Sequence, residues 1–262
     1  MMWKIIIFIF LSYVSLCAVL YFFQEKLLFF PEKLEKDYDF NFSQEYDEVN
    51  LKAKDGTILN ALLFKVPSSK GVIFYLHGNA GSLASWGDIA PIYTDLGYDV
   101  FMLDYRGFGK SEGEMKTGSQ AIMDVQIAYN YLKESYLEGN ITVLGYSLGT
   151  GLAAKVAATN QPEKLILQAP YYSLVDVMKH RYSIIPGFLL KYQLNTFEYI
   201  KQCEMPIVIF HGDQDEVIYH GSSEKLKAHL KADDQVFFLK GFGHSGMTLN
   251  EMYRQKIRII LK

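Results

Sequence analysis

The stretch Gly145-Tyr146-Ser147-Leu148-Gly149 constrains this chain more than any other, because a strand-like run enters it and a small-residue helix leaves it. Ile141-Thr142-Val143-Leu144 precedes it, and Thr150 to Ala158, rich in alanine, follows. A strand that turns sharply into a helix holds the central serine in a strained backbone, with its hydroxyl pushed out at the top of a sheet. The glycines have the same origin: side chains there would collide with the neighbouring strand and helix. Five residues alone are a weak signal. The strand–turn–helix context is what predicts a serine nucleophile at Ser147.

A nucleophilic serine needs a histidine base, a carboxylate to orient that base and donors for the oxyanion. Pro206 to Gly212 reads as a buried strand opening into Asp213-Gln214-Asp215. Gln235 to Leu239 reads as another, opening into Lys240-Gly241-Phe242-Gly243-His244. Both sets of candidates sit where a strand ends, the rim on which open α/β sheets place ligands. Leu148 N–H, directly after the nucleophile, supplies one oxyanion donor, and Asn79 N–H, just past the strand ending at His77-Gly78, supplies the second. His220 and His229 read as surface side chains, and His77 as a partner for nearby backbone.

His77-Gly78-Asn79-Ala80-Gly81-Ser82, Asp104-Tyr105-Arg106-Gly107-Phe108-Gly109-Lys110-Ser111, the Ser147 elbow, His211-Gly212-x-x-Asp215 and Gly243-His244 together resemble the α/β-hydrolase superfamily. More narrowly, they resemble its single-pass membrane-anchored, serine-aminopeptidase-like branch, whose members include enzymes that remove fatty acyl groups from proteins. The resemblance runs from about residue 20 to the C-terminus; the first two blocks are specific to the branch, whereas the whole superfamily shares the elbow. It implies an α/β-hydrolase fold with a Ser147–Asp215–His244 triad. Asp215 is preferred over Asp213 because the family motif sets the acid three residues after Gly212. Asp104 and Arg106 are expected to pair and brace the loop beside the oxyanion turn.

The rest of the chain agrees with one large α/β domain. A length of 262 residues suits one large domain better than two small ones, and 50 % apolar content suffices for a sheet buried on both faces. Asp47 to Lys54 and Ile58 to Val66 read as a β-hairpin across Asp55-Gly56. Val72 to Leu76, Tyr98 to Leu103 and Leu165 to Gln168 read as strands, with helices at Ser85 to Leu96, Thr117 to Glu138 and Met247 to Leu261. This alternation predicts a mostly parallel sheet with helices on both faces. The net charge of −3 supplies no basic field for nucleic acid. No metal-ligand spacing is present, and no cofactor is expected. Cys17 and Cys203 are not expected to pair.

Two segments refine the function. Ile5 to Phe23 is an apolar run of about nineteen residues, long enough to span a bilayer. It predicts a signal anchor over residues 1–26 ahead of a catalytic domain over 27–262; the alternative is a signal peptide cut after Cys17, although the apolar run continues past that point. Lys26, Lys33 and Lys36 against Lys4 hint at a cytoplasmic catalytic domain and leave orientation open. Leu27 to Pro31 either holds the domain close to the bilayer or packs on the domain's own surface. Residues 171–205 form an unusually long, apolar connection, split at Pro186-Gly187, where this superfamily commonly inserts a cap; the alternative is an ordinary helix packed on the sheet. Tyr146, Tyr171 and Tyr172 are the candidates for substrate contact, in a chain with 18 Phe and 19 Tyr.

The expectation is a membrane-anchored serine hydrolase acting on a hydrophobic acyl ester or thioester. An aminopeptidase on the same machinery is the alternative, with Glu198 and Asp176 available for a free amine. A catalytically silent scaffold is the third reading. Oligomeric state is left open.

Overall fold

The computed structural model describes residues 1–262. A helix, α1 (Met2–Leu28), leads into a short strand, β1 (Phe30–Pro31), and then the hairpin β2 (Tyr46–Lys52) and β3 (Ile58–Phe64). There follow β4 (Val72–Leu76), β5 (Ala80–Gly81), the single-turn helices α2 (Leu83–Trp86) and α3 (Pro91–Thr94), β6 (Asp99–Leu103) and α4 (Gly118–Leu132). The second half runs β7 (Ile141–Tyr146), α5 (Leu148–Thr159), β8 (Lys164–Gln168), α6 (Leu174–Arg181), α7 (Thr196–Ile200), β9 (Ile207–Gly212), α8 (Gly221–Lys227), β10 (Gln235–Leu239) and α9 (Glu251–Ile260).

Eight strands form one sheet in the order β10-β9-β8-β7-β4-β6-β3-β2. It is parallel from β10 to β6, and β3 and β2 join antiparallel at one edge. The strands β4, β6, β7 and β9 are buried at every residue because both faces are covered. Along β4, Val72, Phe74 and Leu76 face α4 and α5, and Ile73 and Tyr75 face α2, α3 and α9. Thr117 and Asn250 accept Gln120 N–H and Tyr253 N–H, which fixes where α4 and α9 begin.

Three expected helices are shorter or broken. The Ser85 to Leu96 segment is a chain of single turns, because Pro91 has no N–H to donate and Gly87 is pressed against the Phe42 ring. The helix from Thr117 ends at Leu132, after which the chain turns and Tyr136 reaches Asp99 at 2.6 Å. Met247 to Leu249 forms a separate 3-10 turn, since Asn250 is spent as the cap of α9. The 171–205 connection is broken near Pro186-Gly187 and holds α6, a 3-10 turn at Gly187–Leu189 and α7 rather than one continuous helix. In the Leu27 to Pro31 segment Phe29 is buried against Tyr192 and β1 pairs with β5, while Leu27 and Phe30 stay exposed.

Candidate active site

The nucleophile elbow has the geometry its sequence implies. Ser147 sits between β7 and α5 at φ 50° and ψ −115°, a left-handed conformation that costs an ordinary residue energy. A Cβ on Gly145 would lie 2.5 Å from Gly149 O, and one on Gly149 would run into Leu76 O of β4. Helix and strand therefore approach at the two glycines, and only that approach lets the turn be so tight.

Three side chains converge at this end of the sheet. His244, in the loop after β10, places Nε2 2.9 Å from Ser147 Oγ and Nδ1 2.7 Å from Asp215 Oδ2. Asp215 follows β9, and its other oxygen accepts Val217 N–H and Ile218 N–H, both at 2.8 Å. Burial opposes the Asp215 charge, but hydrogen bonds from His211, His244 and Ile218 N–H and the electrostatic pull of His244 outweigh it. The carboxyl is held well below the usual carboxylate range. Since that anion faces Nδ1, the proton of a neutral His244 ring belongs on Nδ1, leaving Nε2 as acceptor toward Ser147. Asp213 takes no part; it accepts Gly241 N–H at 2.7 Å and shapes the loop.

Leu148 N–H opens α5 and has no intrahelical partner. Asn79 lies in the turn after β4, where its carbonyl accepts Phe30 N–H at 2.8 Å and its side chain donates to Leu28 O at 2.8 Å. Both contacts leave its N–H free and tie the turn to the end of α1. Beneath the turn, His77 Nδ1 faces Gly78 O at 2.7 Å, as expected, and Nε2 lies 3.3 Å from Asp104. Burial pushes the Asp104 carboxyl up, against the contact with His77.

The pairing of Asp104 with Arg106 does not form. Asp104 turns inward to His77 and to Leu83 N–H, and Arg106 turns to Asp124 at 2.5 Å and Asp55 at 2.6 Å. Both residues lie beyond the end of β6, where the backbone is irregular, and each braces a different part of the loop.

The three tyrosines differ in what they offer. Tyr146 donates to His244 O at 2.6 Å, and burial pushes its phenol up to about 12. Its ring borders a cleft of about 950 Å³ lined by Trp86, Ile89, Met247 and Leu249 together with Asp88, Asp95, Arg254 and Arg258. Tyr171 is corrected as a substrate contact: it is fully buried under α5, with its hydroxyl on Leu148 O at 3.1 Å. Tyr172 is stacked on Phe197 at 4.4 Å and touches His229 at 3.3 Å, so its ring is already packed. His220 is exposed and His229 half-buried. His180 is stacked on Tyr219 at 3.8 Å.

Sequence reading gave His211 no role of its own. It is fully buried, with Nε2 2.8 Å from Ile218 O and 3.3 Å from Asp215, and Nδ1 2.7 Å from Ser223 Oγ. Facing a carbonyl, Nε2 carries the proton, and Nδ1 accepts from the serine. The His-Gly-x-x-Asp spacing was the available signal: it puts a strand-end imidazole and the acid on one tight turn.

The sheet order, the elbow and the strand-end placement of Asp215 and His244 define an α/β hydrolase. A family model described as "Serine aminopeptidase, S33" matches residues 67–197, half of the sequence. The chain belongs to that family. It is 31 % identical over 189 residues to protein bem46 of Schizosaccharomyces pombe, covering 68 % of this chain and 63 % of bem46. It is 30 % identical to the uncharacterized protein YfhR of Escherichia coli, covering 76 % of this chain and 73 % of YfhR. It is also 30 % identical to the lysophosphatidylserine lipase ABHD12 of Danio rerio, covering 61 % of this chain and 47 % of ABHD12. The matched stretch thus spans under two-thirds of bem46 and of ABHD12. Among solved structures, the Pyrococcus furiosus esterase Pf2001 superposes with a TM-score of 0.72 at 19 % identity, covering 89 % of this chain and 97 % of that one, a likeness of fold.

Proposed function

We propose that this protein is a membrane-anchored serine hydrolase that cleaves an acyl ester or thioester through an acyl-enzyme intermediate. The observation that carries the reading is the relay Ser147 Oγ to His244 Nε2 at 2.9 Å and His244 Nδ1 to Asp215 Oδ2 at 2.7 Å. Ser147 attacks the carbonyl carbon while His244 takes its proton, then returns it to the departing alcohol or thiol. Water repeats the cycle on the acyl-enzyme. Asp215 keeps His244 in the accepting tautomer and stabilises the imidazolium. Asn79 N–H and Leu148 N–H receive the oxyanion, each worth about a hundred- to a thousandfold in rate.

Several features favour an acyl group over a peptide. The cleft beside Tyr146 carries an apolar patch of Trp86, Ile89, Met247 and Leu249, and the named activities among the similar proteins are a lipase and an esterase. Of the two carboxylates expected to meet a free amine, Asp176 is already held by Lys225 and Tyr219 at 2.5 Å each, and Glu198 accepts from the Asn195 amide at 3.2 Å. The anchor role rests on α1, a 27-residue helix with mean hydropathy 2.6 in its most apolar window; a signal sequence passes the same test. Turnover of matched octanoyl ester, thioester and amide tests the reading. Ester and thioester cleavage that vanishes in Ser147→Ala supports it; amide cleavage at a free N-terminus with no ester turnover overturns it.

A further inference from the structure

The most unusual arrangement outside the triad is the seam between α1 and the 171–205 insertion. Tyr13 donates to Ile184 O at 2.8 Å, and Gln24 donates to Leu189 O at 3.0 Å while accepting Lys191 N–H at 2.9 Å. Tyr13, Cys17, Leu20 and Gln24 follow i, i+4, i+7, i+11 spacing and make one stripe along the helix. Cys17 and Leu20 are half-buried and Gln24 buried, whereas their neighbours on other faces are exposed. Residues 184–189 therefore run beside α1 for three turns, about 16 Å of helix axis.

That contact has a consequence for any membrane crossing. Beyond Tyr13 only residues 2–12 project past the insertion, about 16 Å of helix against a hydrocarbon core of about 30 Å. With the seam intact, α1 is too short to span a bilayer unless the insertion enters beside it. The side chains there suit that setting: Tyr182 is 54 %, Ile184 71 % and Phe188 78 % exposed. Irregular backbone is tolerated at membrane depth where protein partners take up its polar groups. Tyr13 and Gln24, the polar groups on the contact stripe of an apolar helix, each engage an insertion carbonyl. Lys26, Lys179 and Arg181 are exposed around this region and match the phosphates of an anionic leaflet.

We propose that residues 182–189 form a membrane-inserted tip that enters one phospholipid leaflet together with α1. The proposal rests on the anchor reading of α1 and not on catalysis.

The test uses the full chain reconstituted in phosphatidylcholine–phosphatidylglycerol vesicles whose acyl chains are brominated at mid-length. Phe188→Trp reports on the tip, with Ile184→Trp as a second position should the first misfold, and Phe10→Trp reports on α1. Signals are read against the unsubstituted protein, which contains two tryptophans. A tip buried about 5–10 Å below the headgroups loses about half of the added emission to bromine and is shielded from acrylamide. Quenching of Phe10→Trp with both tip positions unquenched and open to acrylamide overturns the tip and leaves the anchor standing. Absence of quenching at all three positions overturns both.

Discussion

Tyr146, the residue before the nucleophile, donates a 2.6 Å hydrogen bond to the carbonyl oxygen of His244, 98 residues later in the chain. The elbow after β7 and the loop after β10 are thereby tied together at the point where proton transfer is proposed. The phenol, pushed up to about 12 by burial, remains a donor across the working pH range. Tyr146→Phe removes the tie and keeps the ring. The expected result is a kcat lower by about fivefold, equivalent to about 1 kcal/mol, with KM little changed. Steady-state kinetics on one ester checks it; an unchanged kcat contradicts the positioning role.

Gly149→Ala tests the elbow itself. The new methyl meets Leu76 O, a backbone atom inside the sheet that has no rotamer to change. A loss of about 1–3 kcal/mol is expected, read as a lower urea midpoint at unchanged slope.

The loop that carries Asp104 and Arg106 depends on a buried ion pair. Arg106 holds Asp124 through two bonds of 2.5 and 2.9 Å, and both side chains are buried. Arg106→Ala leaves the Asp124 charge without its partner and should cost about 3–5 kcal/mol. Arg106→Met with Asp124→Leu should recover most of that loss, because apolar groups replace both charges. Chemical denaturation of the two variants separates the outcomes.

Asp215 predicts a pH dependence with a definite sign. Its folded-state carboxyl titrates below its unfolded value, so it contributes stability that is complete above the ordinary carboxylate range of about 4. That contribution is lost as pH falls through the folded value. The stability difference between the native protein and Asp215→Asn should therefore be constant from about pH 7 to 5 and shrink below about pH 4. Urea titrations across that range measure it. Asp215→Asn should also lower kcat by up to about 10⁴-fold, since an amide can favour the wrong imidazole tautomer.

The parts of this molecule that read well from sequence are those where one residue type answers a local demand. Gly145, Ser147 and Gly149 announce a tight strand-to-helix turn, and Val72 to Leu76 announces a strand covered on both sides. The mutual approach of Ser147, Asp215 and His244 followed from strand ends meeting along one rim of a parallel sheet. What stayed hidden depends on which way a side chain turns once distant loops meet. Asp104 and Arg106 face apart, Tyr171 disappears under α5 against Gly151, and Tyr146 reaches a carbonyl 98 residues away. Helix breaks at Gly87 and Asn250 likewise arise from tertiary packing and capping that local propensity does not encode. The alignment of Tyr13 and Gln24 on the 184–189 segment is invisible in a run that reads only as apolar.

The central claim is that Ser147 is an activated nucleophile, and a fluorophosphonate probe tests it most directly, because it reacts covalently with such serines. The intact protein should gain one probe mass on the peptide containing Ser147; labelling should be absent in Ser147→Ala and much slower in His244→Ala. Undiminished labelling of folded Ser147→Ala, or none of the folded native chain, would contradict the account.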